Sequence, residues 1–205
     1  PMQLYRSLAA YQAGPHPVVT IGTFDGLHPG HRSILQRIMN EAEEKGGESV
    51  VITFHPHPRL VLFPADNQLR LLMSLEEKIA ALEEMGLDKL LILEFTPAFS
   101  RMTSDQFIKD ILVDTVQADT VVIGYDHRFG KNRRGGLEDM EEGGRRYGFA
   151  VEEISAQTVD DNKVSSTKIR EALQAGDVAL AKKLLGYAYP LSGTVAHGDA
   201  IGRTL

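Results

Sequence analysis

The sequence predicts an α/β fold, a parallel sheet with helices on both faces, and three observations predict it. Short apolar runs rich in β-branched residues recur at positions 18–23, 49–54, 89–95, 120–124 and 151–154. Most are apolar throughout rather than alternating, the pattern of strands buried on both sides. Between them lie segments whose apolar residues recur at helical spacing, and strands that alternate with helices build parallel sheets.

Taken in chain order, Val18-Val19-Thr20-Ile21 leads through a glycine-containing turn into a helix carrying Ile34, Leu35, Ile38 and Ala42, which Gly46-Gly47 ends. The second strand, 49–54, is broken by His55-Pro56-His57-Pro58, where two prolines predict an extended, rigid path. Ser74-Leu75-Glu76-Glu77 has capping-box spacing and opens a helix with Ile79, Leu82 and Met85 on one stripe. After the third strand, Thr103-Ser104-Asp105-Gln106 repeats that signature ahead of Phe107, Ile111 and Leu112. The fourth strand, 120–124, is separated from the fifth, 151–154, by a loop rich in glycine and arginine and a short polar helix around 137–147. Ser165-Ser166-Thr167 starts another helix, a short one covers 178–185, and 189–198 is expected as a strand leading into a turn. We therefore expect a main domain over 1–186, with 187–205 either a cap on it or the severed start of another domain, because about 20 residues cannot fold alone.

The composition narrows the function classes. The 205 residues are 42% apolar, enough for a core, and contain no cysteine, which excludes disulfides, thiolate zinc sites and cysteine nucleophiles. No apolar run approaches the ~20 residues that cross a bilayer, and no signal-peptide pattern opens the chain, so a cytoplasmic protein without membrane contact is expected. A net charge of −6 argues against nucleic-acid binding, which relies on broad positive fields.

Ligands of parallel sheets bind beyond the carboxyl ends of the strands, and the most unusual loops fall there, at 23–30, 54–59 and 125–134. His28-Pro29-Gly30-His31 sits where a strand-loop-helix unit aims backbone N–H groups and a helix dipole at an anion. Imidazoles there can stabilise charge that grows on a phosphate; the alternatives are loop histidines with local hydrogen bonds, or a zinc site lacking a third ligand of standard spacing. Ser165-Ser166-Thr167-Lys168-Ile169-Arg170 offers three hydroxyls and two cations at a helix start, either a capped surface helix or a phosphate clamp. At the fourth strand's exit, Asp126 can contact a ribose, a base or a metal, or cap a turn. Phe54 could offer a face to a flat ring or belong to the core.

Together, Gly22-Thr23-Phe24-Asp25-Gly26-Leu27-His28-Pro29-Gly30-His31 and the Ser165–Arg170 stretch resemble the nucleotidyltransferase superfamily. Adding Thr53-Phe54-His55-Pro56-His57-Pro58-Arg59 and Gly124-Tyr125-Asp126-His127-Arg128-Phe129-Gly130, the chain resembles the bacterial bifunctional riboflavin kinase/FMN adenylyltransferases, or FAD synthetases, from about Val18 onward. Residues 191–205 are similar to the opening of that family's kinase barrel, and the continuation the family carries is absent, so the resemblance implies a linker and an incomplete first strand over 187–205. His127 departs from the family's usual aromatic residue, and Pro29 fills a variable slot.

The resemblance implies a Rossmann-like nucleotidyltransferase fold and transfer of AMP from ATP to FMN, giving FAD and pyrophosphate. It implies His28, His31, Lys168 and Arg170 as catalytic residues. Gly22, Thr23, Phe24, Asp25, Gly30, Asp126, Ser165, Ser166 and Thr167 would bind ATP, and Phe54, His57 and Phe129 would lie on the flavin side. Mg²⁺ would bridge phosphates with few protein ligands. Another phosphorylated acceptor, or a nucleotide- or flavin-binding module without catalysis, are the alternative readings. Riboflavin phosphorylation is not expected of these 205 residues, since one strand cannot close a barrel.

Overall fold

The computed structural model describes residues 1–65, 69–125, 127–131, 134–155 and 164–198. Six strands, β1 (Gln3–Tyr5), β2 (Val18–Ile21), β3 (Ser49–His55), β4 (Lys89–Glu94), β5 (Thr120–Gly124) and β6 (Ala150–Ile154), form one sheet in the order β1-β4-β3-β2-β5-β6. Every neighbouring pair is parallel. The expected α/β architecture with a Rossmann-like parallel sheet is therefore present.

The burial of the strands explains their composition. Val19, Ile21, Val50, Ile52, Leu91, Leu93, Val121 and Ile123 pack on one face with Ile108, Ile111, Leu112 and Met140. Their neighbours Val18, Val51, Leu90, Ile92 and Val122 pack on the other with Leu35, Ile38 and Leu82. Side chains alternate across a strand, so a sheet covered on both sides needs apolar residues at consecutive positions.

The first face is covered by α5 (Leu137–Tyr147) and by a helix that opens as α4 (Ser104–Gln106) and continues as a π-helix over Phe107–Val113. The second is covered by α1 (Pro29–Lys45) and α3 (Leu75–Glu84). Both predicted capping boxes form: Ser74 and Glu77 exchange side-chain-to-backbone bonds, as do Thr103 and Gln106. Two later helices, α6 (Ser166–Gln174) and α7 (Val178–Leu185), pack together around Ile169 and Leu185.

Two expectations need correction, and one strand is an addition. The edge strand β1 carries no period-2 signal in its three residues and is missing from the sequence reading. The prolines after β3 do not hold an extended path throughout: Pro58 opens a short helix, α2 (Pro58–Leu62), at the first helical position, where proline's missing N–H costs nothing. Residues 189–198 form no strand; Leu191 and Val195 lie exposed, with no neighbouring strand among the described residues to pair with.

The chain runs outward from β2 to β3 and β4, then returns past β2 to β5. The crevice beyond the carboxyl ends of β2 and β5 is thus the switch point of the sheet.

Candidate active site

The loop from Gly22 to His28 leaves β2 at that switch point, and its backbone is unusual. Phe24 and Leu27 take positive φ of 48° and 42°, a conformation that side chains other than glycine rarely adopt. Gly26, at φ 87°, requires glycine for a second reason: a Cβ there would lie 2.6 Å from Leu72 Cδ1. Such a backbone persists where its surroundings hold it, and here three helices and Tyr187 do so. The Thr23 carbonyl accepts from Lys78 Nζ on α3 at 2.6 Å, and the Asp25 carbonyl from Ser166 Oγ on α6 at 2.9 Å. The Gly26 carbonyl accepts from the Tyr187 hydroxyl at 2.6 Å, and the Leu27 carbonyl from Arg32 Nε on α1 at 2.9 Å.

His28 caps α1, with Pro29 at its first position and Gly30 buried behind it. Its Nδ1 accepts from the His31 backbone N–H at 3.4 Å, an arrangement that puts the ring hydrogen on Nε2. The two imidazoles stack at 3.7 Å between centroids, and the edge of Phe24 meets His31 at 5.3 Å. His31 Nδ1 is buried and has no hydrogen-bond partner among the described residues. Burial lowers the His28 pKa to about 4, against a smaller opposing pull from Asp25. The His31 pKa falls well below its ordinary value through burial, with His28 and Lys78 adding to the effect. Both rings are neutral at pH 7 and can each offer an N–H without carrying charge.

Asp25 joins the two ends of the sequence. Its carboxylate is buried, accepts from the Leu72 N–H at 2.9 Å and the Met73 N–H at 3.3 Å, and pairs with the Arg170 guanidinium. Arg170 also donates Nε to the Arg70 carbonyl at 2.7 Å. The histidine loop and the Ser165–Arg170 clamp, 145 residues apart at this pair, therefore meet at one carboxylate. Ser165 caps α6 by accepting from the Lys168 N–H at 3.3 Å, while the Thr167 and Lys168 side chains are exposed. Gly22 ends β2 with its N–H on the Ile52 carbonyl at 3.0 Å, and a Cβ there would press on the Phe24 ring.

Of the residues expected near a flavin, His57 is at this site. Its pKa is lowered to about 4 by burial, with Asp25 pulling the other way and Lys78, Arg170 and Arg59 pushing it down further. Phe54 lies half-buried at the end of β3 in contact with Phe95 and Phe99, each 5.8 Å away. Phe129 is a core ring instead. It is 6% exposed and packs on Phe107, because the backbone bridge from residue 129 to Gly135 folds the loop back over the first face. Asp126 lies outside the described residues.

Sequence reasoning missed Lys78, Tyr187 and Arg32. Lys78 had a signal: it falls in phase with Leu75 and Leu82 on the apolar stripe of α3, where a lysine is out of place. Among the described residues no group of three or more His, Asp or Glu is placed to hold a metal ion. Both Asp25 oxygens are already engaged, so these residues do not fit a resident metal.

The model of the FAD synthetase family matches residues 12–168. The bifunctional riboflavin kinase/FMN adenylyltransferase of Escherichia coli K12 is 38% identical over 208 aligned positions, covering the whole of this chain and 66% of that protein. The Bacillus subtilis protein of the same name is 38% identical over 190 positions, covering 92% of this chain and 59% of that one. The chain thus spans just under two thirds of the length of such relatives. A solved structure described as a macrolide-efflux protein from Streptococcus pneumoniae superposes with a TM-score of 0.85 at 29% identity, over 99% of this chain and 66% of the other. No helix among the described residues is long and apolar enough to cross a membrane. A pantoate-beta-alanine ligase from Francisella tularensis shares the fold, with a TM-score of 0.52 at 12% identity over 90% of this chain and 86% of that one.

Proposed function

The chain belongs to the FAD synthetase family, and from that premise we propose that it transfers AMP from ATP to FMN, releasing pyrophosphate and forming FAD. The observation that carries the reading is the meeting of the histidine loop and the α6 clamp at Asp25, beside two neutral imidazoles at the start of α1. In the reaction an FMN phosphate oxygen attacks the α-phosphorus in line, and the bond from that phosphorus to the oxygen bridging to the β-phosphate breaks. The attacking phosphate is already ionised at neutral pH, so the protein has to align the reactants and stabilise charge.

We assign His28 and His31 to the ATP phosphates, with His31 nearest the α-phosphate; its unmatched Nδ1 supports a ligand partner there. Ser165, Ser166, Thr167, Lys168 and Arg170 take the leaving pyrophosphate. Arg170 has five N–H donors, and its bonds to Asp25 and Arg70 leave others for that anion. Asp25 then serves ATP by aiming Arg170, and Gly22, Thr23, Phe24 and Gly30 by shaping the loop. Phe54, with Phe95 and Phe99 beside it, and His57 form the flavin side. Asp126 is assigned to ATP on the resemblance alone. Mg²⁺ would travel with the nucleotide phosphates. We further propose a cytoplasmic location, no nucleic-acid partner and, for the whole protein, riboflavin kinase activity outside residues 1–186.

Incubation with ATP, FMN and Mg²⁺ tests the reading. FAD and pyrophosphate should appear in equal amounts, and not when phosphopantetheine or nicotinamide mononucleotide replaces FMN. Nucleotide binding without pyrophosphate release would leave a non-catalytic module.

A further inference from the structure

We propose that Lys78 is a phosphate-binding residue of this site, its ammonium supplying a positive charge that a substrate phosphate completes; the proposal rests on the nucleotide reading above. Lys78 is 8% exposed, on a stripe of α3 otherwise apolar, and reaches the histidine loop rather than solvent. An ammonium has three donors, and the Thr23 carbonyl is its one hydrogen-bond partner among the described residues. Burial lowers the Lys78 pKa, and the carboxylate that opposes this is Asp25, already bound by Arg170 and two backbone N–H groups.

Two cations thus share one anion. His28, His31 and His57 are held neutral and leave that balance unchanged. Among the described residues the site carries a buried positive charge with no carboxylate of its own, which is costly for a fold on its own account. The bond to Thr23 places the ammonium on the histidine loop, and its charge also reaches His31 and, in the turn after β3, His57. A phosphate entering between those loops would meet it. That phosphate belongs either to ATP or to FMN.

The test titrates wild type, Lys78→Met and Lys78→Gln with a non-hydrolysable ATP analogue and, separately, with FMN, and records thermal unfolding of each. Lys78→Met should unfold at the same or a higher temperature, because an incompletely paired buried charge is removed, while affinity for one ligand falls about tenfold or more. Loss confined to the ATP analogue assigns the nucleotide phosphate, and loss confined to FMN assigns the acceptor phosphate; both support the proposal. Lys78→Gln keeps a donor for the Thr23 carbonyl and should lose affinity equally. Wild-type affinity for both ligands in Lys78→Gln overturns the proposal, as does a lower unfolding temperature in Lys78→Met with both affinities kept. A wild-type chain that binds the analogue and makes no FAD defeats the transfer reading alone. One that binds neither ligand overturns both.

Discussion

At the amino ends of the strands Lys89 is 3% exposed; beyond the carboxyl ends Lys78 is nearly as buried, and the two are treated differently. Lys89 Nζ pairs with Glu48 at 2.5 Å, donates to the Gln12 carbonyl at 2.8 Å and lies 5.7 Å from the centre of the Tyr11 ring. Its charge is answered within the fold. Lys78 has a carbonyl, and shares with Arg170 a carboxylate that Arg170 already holds. The same contrast runs through the neighbouring groups: the aspartate at the amino ends, Asp88, binds the Ser49 backbone and hydroxyl, a local strand-end staple. The sheet's two ends therefore divide labour. One pairs its buried lysine and its strand-end aspartate within the fold, and the other leaves donors and charge for an anion.

If that division holds, substitutions at the two ends should fail in different measurements. The largest effect is expected for His31→Ala and Arg170→Ala, each lowering FAD formation by about 10²-fold, the scale of one lost transition-state donor. Steady-state assays with far-ultraviolet dichroism to confirm folding would check this. Near-normal turnover would remove these residues from the chemistry. At the other end, Lys89→Met should leave kcat unchanged in the folded enzyme and cost about 2–3 kcal/mol in urea unfolding. It strands Glu48, a partner open enough to water to keep the loss below that of a fully buried pair. An equal loss of stability from Lys78→Met would erase the contrast.

Acid should weaken the site end selectively. His28 and His57 have folded pKa values of about 4, and His31 lies well below its ordinary value, against about 6.5 when unfolded. Below pH 6.5 the unfolded chain binds protons that the folded chain refuses. Stability is thus complete above that pH and declines as pH falls toward 4. The expected loss from His28 is about 1–2 kcal/mol by pH 5, read as a fall in urea midpoint. ATP should reduce this loss, because a phosphate beside the rings favours their charged form. His28→Gln should flatten the profile; an unchanged slope would reassign the acid response.

Much of this arrangement is readable from the chain, and what escapes does so for physical reasons. Five strands are evident because a sheet buried on both faces demands unbroken apolar runs, and Ser74 and Thr103 announce their helices through capping. His28, Gly30 and His31 are recognisable because strand, turn and helix start are contiguous. Asp25 and Arg170 are individually visible, but their partnership spans 145 residues and depends on how α6 docks. The π-helical stretch Phe107–Val113 keeps an apolar face under either hydrogen-bond pattern, so periodicity cannot distinguish it. The strand expected over 189–198 fails because β-forming residues need a neighbour to pair with, and the described residues provide none there.

Tyr187 gives the smallest effect and the sharpest question about where the site ends. The sequence reading places it in a linker, yet its hydroxyl holds the Gly26 carbonyl, its ring lies 5.1 Å from the Arg32 guanidinium, and Ser192 farther on bonds Glu77 at 2.6 Å. Tyr187→Phe removes one hydrogen bond and leaves the ring over Arg32. The stability cost should be about 1 kcal/mol, that of a single partly exposed hydrogen bond. The loop it releases carries three residues at positive φ, so the loss should also appear as looser nucleotide binding. We expect KM for ATP to rise about three- to fivefold with kcat within twofold, while KM for FMN stays constant. A change in unfolding midpoint alone would return Tyr187 to the linker. A change in KM for ATP would extend the site end of the sheet past α7, making the residues after Gly186 part of what shapes the nucleotide loop.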